Sequence, residues 1–411
     1  MDKVILAKVG ASCDGQEGRA VRYADAAFMG GLALMILTLP ISEALKNIGY
    51  FIALGGWVFK RAARRDFRMA FTPLGVFLSV YFLTSLLSAA FAFDRWEGFR
   101  GAWDVFRYLS LFLMMLNDVD SKPKILFCVS LFIVSTGIGV ARGLFEYFGG
   151  PDIRIGIKTL GNPIHVATYL VIMLALLLSL LFLMDWPLWA KIAVGVVAGA
   201  TYLAIFLTYS RGGWIACVAV LLFLSVSLKR WEPVVVLACL TVAIVVGLSG
   251  TGRLWTRNVE LLARLEEDVS VIERIKMWKG SILSVKDRPL LGIGPRNFRN
   301  LDHERYGFQR TDRPGRPWTD AHNLFLTVLA ERGLLGFLSL IAFLVCYAYE
   351  GIRRRPSKGL LGQALWHAAL GSFITIVVAG MVNTTLHSEG ATAFSSMTAL
   401  MLASGEAAKP S

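Results

Sequence analysis

The sequence predicts an all-α protein that crosses a membrane about twelve times, and three observations support this prediction. The mean hydropathy of the 411 residues is +0.59. Charged residues make up only 17% of the chain, compared with about 25% in soluble domains. The apolar residues form runs of about 20, the length that a membrane-spanning helix needs. Because these runs lack the alternation of a strand, and lipid admits only helices or closed barrels, we expect helices.

The predicted spans divide the chain into three parts. Residues 1–249 form an N-terminal membrane bundle of nine helices, residues 250–320 form a long loop, and residues 321–411 form three further membrane helices and a short cytoplasmic tail. The first apolar run has no small-residue cleavage site behind it, so we expect a signal anchor that stays in the protein. The spans are predicted at 24–41, 46–59, 72–92, 98–116, 125–148, 164–184, 188–208, 212–228, 233–249, 321–348, 360–383 and 389–404.

Basic residues indicate the orientation of the bundle. They cluster after the second, fourth, eighth and tenth spans, at residues 60–68, 122–124, 229–230 and 353–358. With twelve spans and a cytoplasmic N-terminus, all four clusters lie in the cytoplasm, as the positive-inside rule requires. The same arrangement places the loop at 250–320 on the outer face of the membrane.

The long outer loop is itself basic, which cytoplasmic anchoring does not explain. It contains eleven arginines and three lysines, and the net charge of the whole chain is +13. This excess predicts anionic partners. Within the loop, Leu254–Leu265 and Val271–Val285 have apolar residues at helical spacing. We therefore predict two amphipathic helices on or near the membrane surface.

Three basic residues on the outer side are the main functional candidates. His322 opens the tenth span, where it can accept a proton or can simply follow Asp320 as part of a helix cap. Arg211 lies at the rim of the hydrocarbon, where an arginine is costly and is either functional or extended toward the headgroups. Arg274, on the second loop helix, can bind a pyrophosphate through two parallel hydrogen bonds or can pair with Glu273.

Other polar residues are weaker candidates. Four basic residues surround the short outer loop at 149–163, namely Arg142, Arg154, Lys158 and His165. Glu331 and Arg332 lie inside the tenth span and are interpreted as a buried structural pair, with Arg107 as a further possible partner. The five cysteines do not form a metal-binding pattern, and the acidic triplet at 118–120 falls on the cytoplasmic side. The sequence therefore predicts neither a metal site nor a cofactor.

Several motifs in the second half of the chain resemble the O-antigen ligase and polymerase family of bacterial envelope biogenesis. Each motif is weak alone, but their order and spacing between residues 205 and 345 fit the family. Because the outer loop at 149–163 is short, the chain looks most like the ligase branch, called WaaL. The motifs are Ser210-Arg211-Gly212-Gly213-Trp214, Glu273-Arg274 with Trp278, Pro289 to Gly294, Ala321-His322-Asn323-Leu324, and Glu331 to Gly336.

The resemblance implies a reaction and a location. A multi-span glycosyltransferase of the third membrane fold type (GT-C-like) transfers the O-antigen polysaccharide from undecaprenyl pyrophosphate to a sugar hydroxyl of lipid A–core. The reaction is metal-independent and inverting, and it takes place on the periplasmic side of the bacterial inner membrane. The implied partners are therefore the lipid-linked O-antigen, lipid A–core and membrane lipids, with no nucleic acid.

The resemblance also assigns roles to residues. His322 is the expected general base, and Arg211 and Arg274 are expected to bind the pyrophosphate. His165 stands where many members of the family have a different polar residue. Two other functions stay open, an O-antigen polymerase and a transporter of lipid-linked sugars whose charged path includes Arg107 and Glu331. The candidate substrate-binding residues are Arg142, Arg154, Lys158, His165, Arg288, Arg296 and Asn323.

Overall fold

The computed structural model describes residues 2–150, 154–157, 162–232, 269–308, 317–356 and 359–406, together with scattered residues between 233 and 249. These residues form twelve α-helices and no strand. The helices are α1 (Asp2–Thr38), α2 (Glu43–Arg64), α3 (Pro73–Ala90), α4 (Arg95–Asp118), α5 (Lys122–Gly149), α6 (Pro163–Leu183), α7 (Leu188–Leu207), α8 (Arg211–Leu228), α9 (Val269–Asp287), α10 (Leu324–Arg353), α11 (Leu360–Gly380) and α12 (Ser388–Glu406).

The prediction of an all-α, multi-pass membrane protein is confirmed. Eleven of the twelve helices coincide with predicted spans, and eight of them, within the described residues, are long and apolar enough to cross a membrane. The remaining helix, α9, confirms the second helix that was predicted in the outer loop. The other predicted loop helix lies outside the described residues, as does most of the predicted span at 233–249.

Three helices that match predicted spans are less apolar than the other eight, because they carry polar side chains into the bundle. Helix α2 carries the buried Lys46 and Lys60. Helix α4 carries Asp104, and α12 is rich in serine, threonine and alanine, with Ser395 and Thr398 facing a cavity. Their lower hydropathy therefore reflects what they contact inside the protein.

The C-terminal helices pack into the N-terminal bundle. Helix α10 packs against α3, α11 against α6 and α8, and α12 against α4 and α6. Helix α6 lies at the centre, since 83% of its span is buried. One continuous apolar core therefore joins the first and last parts of the chain.

Helix α10 is broken at Gly333, which has φ 62° and ψ −165°. The segment at 289–294 lies against the break and bonds the backbone groups there. The N–H groups of Ile293 and Gly294 donate to the carbonyls of Ala330 and Glu331 at 3.1 and 2.8 Å, and Leu334 N–H donates to the carbonyl of Pro289 at 2.8 Å. Because lipid supplies no hydrogen bonds, this pairing is what allows a broken helix inside a membrane bundle.

An ionic cluster lies at the end of the bundle where α4 ends and α5 begins. Asp118, at the end of α4, contacts Lys60 at 2.7 Å, Arg61 at 2.8 Å and the indole N–H of Trp57 at 2.7 Å. Asp25 pairs with the same lysine and with Lys124. We call these charged residues the Asp118 cluster and this end of the bundle the Asp118 end. The basic clusters predicted after the second and fourth spans therefore meet at one end.

Candidate functional site

A short turn between α11 and α12, residues 381–387, holds the segment that contains His322. The carboxylate oxygen Oδ1 of Asp320 accepts hydrogen bonds from the backbone N–H of His322 and from the hydroxyl of Thr384, both at 2.8 Å. Asn323 caps α10 by accepting from Leu326 N–H at 3.0 Å, and its amide donates to the carbonyl of Met381 at 2.7 Å. The turn therefore fixes His322 from both sides. We call the end of the bundle where this turn lies the His322 end.

His322 adopts an unusual backbone conformation, with φ 47°. A side chain in this left-handed region costs about 1–3 kcal/mol, so it persists only where the surroundings hold it. Four other non-glycine residues of the described chain have positive φ. Arg65 and Lys229 end helices, where this conformation is common. Tyr209 and Arg296, like His322, border the His322 end.

The ring of His322 lies between a carboxylate and an aromatic ring. Its Nδ1 is 3.6 Å from Oδ1 of Asp320, and the indole of Trp318 meets it edge to face at 5.7 Å between centroids. Burial raises the pKa of the Asp320 carboxyl, but His322 and Thr384 outweigh this effect and hold the pKa below its ordinary value. An ionised Asp320 favours a proton on Nδ1 of His322, which makes Nε2 the basic nitrogen.

Arg211 begins α8 beside the same turn. Ser210 caps the helix by accepting from Gly213 N–H at 3.3 Å. Gly212 packs against the turn so closely that a Cβ there would lie 2.4 Å from Nδ2 of Asn383, and Gly213 packs equally closely against Ala167 of α6. The two glycines of the motif therefore allow the start of α8 to pack against the turn. Arg211 and His322 consequently lie at the same end of the bundle.

Helix α9 carries Arg274 at the same end of the bundle. One turn further along that helix, the indole N–H of Trp278 donates to the carbonyl of Ala321 at 3.1 Å. Met277 and Ala321 share a small apolar core with residues of the loop that follows α9. Glu273, the alternative partner that the sequence offered to Arg274, lies 3.4 Å from Lys276. The elements that carry Arg211, Arg274 and His322 thus all contact residues 320–323 or the turn.

A cavity of about 410 Å³ opens at this end and extends into the bundle between α3, α4, α10 and α12. One part of its wall is polar and the other is apolar, which suits a ligand with a charged head and a lipid tail. The polar part includes His165, Arg296, Arg299, Asp320, Thr384 and His387. The apolar part includes Leu74, Leu78, Phe112, Leu340, Phe343 and Phe394.

Several helix N-termini provide local anion-binding positions at the His322 end, where α5, α7 and α11 also end. Helices α6, α8, α10 and α12 all begin there, at Pro163, Arg211, Leu324 and Ser388. A helix N-terminus carries about half a positive charge and unpaired N–H groups, so it favours anions. Four such N-termini beside two candidate arginines make this end suitable for a phosphorylated ligand.

The structure separates the secondary candidates into two groups. Arg296 and His165 line the cavity, and Arg296 pairs with Asp104 of α4 at 2.7 Å. Arg142 pairs with Glu146 one turn further along α5 at 2.9 Å, on an exposed surface. Arg288 donates to the carbonyl of Phe91 at 2.8 Å and lies over the ring of Phe93, which ties the loop to the α3–α4 turn.

The remaining candidates have other positions. Arg154 precedes Ile155, whose N–H donates to the carbonyl of Leu207 at 3.0 Å, and Arg154 is not among the described residues that line the cavity. Lys158 lies outside the described residues. The predicted pair of Glu331 and Arg332 is formed, at 3.0 Å and buried. Arg107, the further possible partner of this pair, donates to the side-chain oxygen of Asn47 on α2 at 3.5 Å.

Sequence reasoning missed several residues of the cavity. His387 stacks on His165 with 5.1 Å between ring centroids. Arg299 and Asp104 also line the cavity. The signal for His387 was its place in a polar turn predicted on the same side as His322. No pattern could identify Asp104, because its position in the cavity depends on how α4 packs against the loop.

Comparison with known proteins now adds to this geometry. Residues 196–341 match the model of a family described as O-antigen ligase. This region of the chain is therefore similar to the O-antigen ligase family. The matched residues include Arg211, Arg274 and His322 and also the break at Gly333. An uncharacterized protein of Haemophilus influenzae is 22% identical over 297 residues, which cover 68% of this chain and 72% of that protein.

The match to the O-antigen ligase family supports a coarse functional class. Members of this family act as glycosyltransferase-like ligases or polymerases, and their substrates are lipid-linked polysaccharides and, in general, lipid A–core. The amphipathic cavity at the His322 end is consistent with such substrates.

Proposed function

We propose that this protein is an O-antigen ligase of the bacterial inner membrane, with its active site on the periplasmic side. It transfers the O-antigen polysaccharide from undecaprenyl pyrophosphate to a sugar hydroxyl of lipid A–core. The observation that carries the proposal is the orientation of His322 by Asp320, a residue that lines the amphipathic cavity, within a region that matches O-antigen ligases.

His322 acts as the general base. Its Nε2 accepts the proton of the acceptor hydroxyl as that oxygen attacks the anomeric carbon of the donor sugar. The bond between the anomeric carbon and the phosphate oxygen breaks on the opposite face, so the reaction inverts the anomeric centre in one displacement. Asp320 stabilises the imidazolium that forms, because its carboxylate lies 3.6 Å from Nδ1.

Arg211 and Arg274 bind the pyrophosphate leaving group. Negative charge grows on this group as the glycosidic bond breaks, and fixed guanidinium groups stabilise that charge more in the transition state than in the ground state. Cations and helix N-termini at the His322 end perform this task without a metal ion. The donor carries its own activation in the pyrophosphate, so no nucleotide is required.

The cavity receives the lipid end of the donor. Its volume of about 410 Å³ is in the range of small-molecule sites, and it is too small for a whole undecaprenyl chain. We therefore propose that it holds the first isoprene units next to the pyrophosphate, against Leu324, Leu340 and Phe343. The rest of the chain extends between helices into the bilayer.

An in vitro ligation assay tests the proposal. Purified protein in detergent should join lipid-linked O-antigen to lipid A–core equally well with and without EDTA. His322→Ala should lower the rate by about 100-fold or more, which is the usual contribution of a general base. The matched control is His303→Ala, because His303 lies in the loop, where its ring packs against Phe298 and Phe308. Undiminished transfer by His322→Ala would rule out this residue as the base.

An O-antigen polymerase is the second candidate, since the same domain and chemistry serve a different acceptor. A deletion strain separates the two functions. Loss of a ligase should leave lipid A–core without any O-antigen, whereas loss of a polymerase should leave a single repeat unit on the core. The transporter interpretation is weaker, because Arg107 and Glu331 have different partners, Asn47 and Arg332.

A further inference from the structure

The charges on the cavity wall balance. Six formally charged side chains line the cavity among the described residues, three arginines and three acids. Two of the arginines already have carboxylate partners, since Arg296 pairs with Asp104 and Arg332 with Glu331. When the histidines are neutral, the described wall therefore has no net charge. Arg211 and Arg274 are not among these lining residues. A pyrophosphate diester carries one negative charge on each phosphate, so positive charge gained by this wall would add to what the two arginines supply.

Two histidines at the polar end can supply that charge. His165 lies in the first turn of α6, which Asn162 caps, and His387 ends the turn before α12. Their rings stack at 5.1 Å with an angle of 23°, and both line the cavity beside Asp320. Two imidazolium ions this close repel each other, so double protonation is unfavourable without an anion. An anion against the pair removes this penalty.

Further features of the surroundings favour an anion at this position. Helices α6 and α12 both begin beside the pair, and their N-termini attract negative charge.

The other charged groups near the pair are already engaged. Glu389 of α12 pairs with the buried Lys46 of α2. Asp320 accepts from His322 and Thr384. Arg211 of α8 belongs to the proposed catalytic machinery, and Arg299 lines the cavity. His165 and His387 are therefore the remaining ionisable side chains in this part of the wall, and each ring can take up a proton when an anion lies against it.

We infer that His165 and His387 form a proton-linked phosphate subsite, which takes up protons when a pyrophosphate diester enters the cavity and releases them when the ligand leaves. This inference rests on the proposed function for the identity of the ligand. The subsite makes the cavity wall positively charged only while the donor is bound. The two histidines are binding residues, and His322 remains the base.

Calorimetric titration of the purified full chain in detergent tests the subsite. The probe is a dimethyl diester of pyrophosphate, because such a diester does not titrate near neutral pH. Titrations in two buffers of different ionisation enthalpy give the number of protons taken up on binding. The wild type should take up about one proton per ligand near pH 7, and its affinity should rise by about 10- to 100-fold from about pH 8 to about pH 6.

Substitutions of the two histidines identify which residues take up the protons. His165→Gln and His387→Gln should each reduce the uptake, and the double variant should lose most of it together with the pH dependence of affinity. His303→Gln is the matched control and should behave as the wild type. A wild type that binds the diester without proton uptake, or does not bind it, contradicts the subsite even if no variant folds. Unchanged uptake in the double variant also contradicts it.

Binding and catalysis can fail separately. Ligation activity without proton uptake would refute the subsite and leave the proposed function intact. Proton-linked binding of the diester, with no ligation of authentic substrates, would refute the ligase function and support the subsite.

Discussion

At the Asp118 end of the bundle, acids and bases pair with one another, whereas at the His322 end several of them face a cavity. Asp118 has three partners, Lys60, Arg61 and Trp57, and its side chain is only 3% exposed. At the His322 end, Asp320 positions a histidine, and three non-glycine residues near it have positive φ. The same residue types thus hold helices together at one end and prepare a binding surface at the other.

The difference concerns geometry rather than composition. The Asp118 cluster joins α1, α2, α4 and α5 through side chains in the helices or at their ends. The candidate site is assembled from helix N-termini and from connections, which include the turn at 381–387 and the loop before α10. Buried pairs of the first kind contribute to stability, whereas loops held by a rigid scaffold commonly carry function. Substitutions at the two ends should therefore affect different measurements.

The largest effect should follow from breaking the Asp118 cluster. Asp118→Asn leaves the positive charges of Lys60 and Arg61 without their carboxylate, so the free energy of unfolding should fall by about 3–5 kcal/mol. Asp120→Asn is the matched control, because its side chain is 62% exposed and contacts only Lys124 at 3.3 Å. Thermal unfolding of the purified proteins measures both. Equal stability of the two variants would show that the cluster does not hold this end together.

A substitution at the break of α10 should come next. Gly333→Ala places a Cβ 2.4 Å from the carbonyl oxygen of Leu290 at a φ of +62°, so it adds a backbone clash to conformational strain. We expect a loss of about 3 kcal/mol in stability. Gly307→Ala is the control, because Gly307 has a φ of +71° with no atom within 4 Å of the added Cβ. It should lose only about 1 kcal/mol.

The sequence was sufficient for the helices but not for the wall of the site. Runs of apolar residues predicted eleven observed helices, because burial in lipid depends mainly on local composition. The motif around Pro289–Gly294 was noticed, yet its pairing with the break at Gly333 is a contact between distant parts of the chain. His387 and Asp104 join the cavity for the same reason. Such contacts follow from helix packing, and no spacing along one sequence encodes them.

At the His322 end, Asp320→Asn should lower activity about 10- to 100-fold, with a loss of stability that is smaller than that of Asp118→Asn. An amide keeps the hydrogen bonds to the backbone of His322 and to Thr384 but no longer stabilises an imidazolium. Thr384→Val, which removes one hydrogen bond to Asp320, should have a smaller effect of a few-fold. Ligation rates of folded protein measure the series. A larger loss for Thr384→Val than for Asp320→Asn would show that position matters more than charge.

The lowered pKa of Asp320 gives a prediction for pH. Because the carboxyl has a lower pKa in the folded protein than in the unfolded chain, its ionised form stabilises the fold above about pH 4. This contribution should disappear as the pH falls through the folded pKa. The thermal stability of the wild type should therefore approach that of Asp320→Asn only in strong acid. A difference in thermal stability between the wild type and Asp320→Asn that stays constant down to about pH 2 would contradict this linkage.

A moderate effect is expected at the cap of α10. Asn323→Ala removes the acceptor for Leu326 N–H and the donor to the carbonyl of Met381. Loss of an N-cap costs about 1 kcal/mol, and the bond to the turn should add to this cost. Asn323→Asp keeps the cap but not the amide donor, so it isolates the contact with the turn. If Asn323→Asp loses as much activity as Asn323→Ala, the contact with the turn is what positions His322.

The smallest effect should come from replacing Arg142. This substitution tests how far the site extends. Arg142 was a candidate as one of the basic residues around the short outer loop at 149–163, but its guanidinium pairs with Glu146 and its side chain is 44% exposed. Exposed pairs of this spacing contribute about 0.3–0.5 kcal/mol, so Arg142→Ala should change neither stability nor ligation appreciably. Arg296→Ala is the contrasting variant, because Arg296 lines the cavity and pairs with Asp104 across its wall. We expect its ligation rate to fall about tenfold. A loss in Arg142→Ala that matches the loss in Arg296→Ala would extend the site beyond the cavity to the outer end of α5.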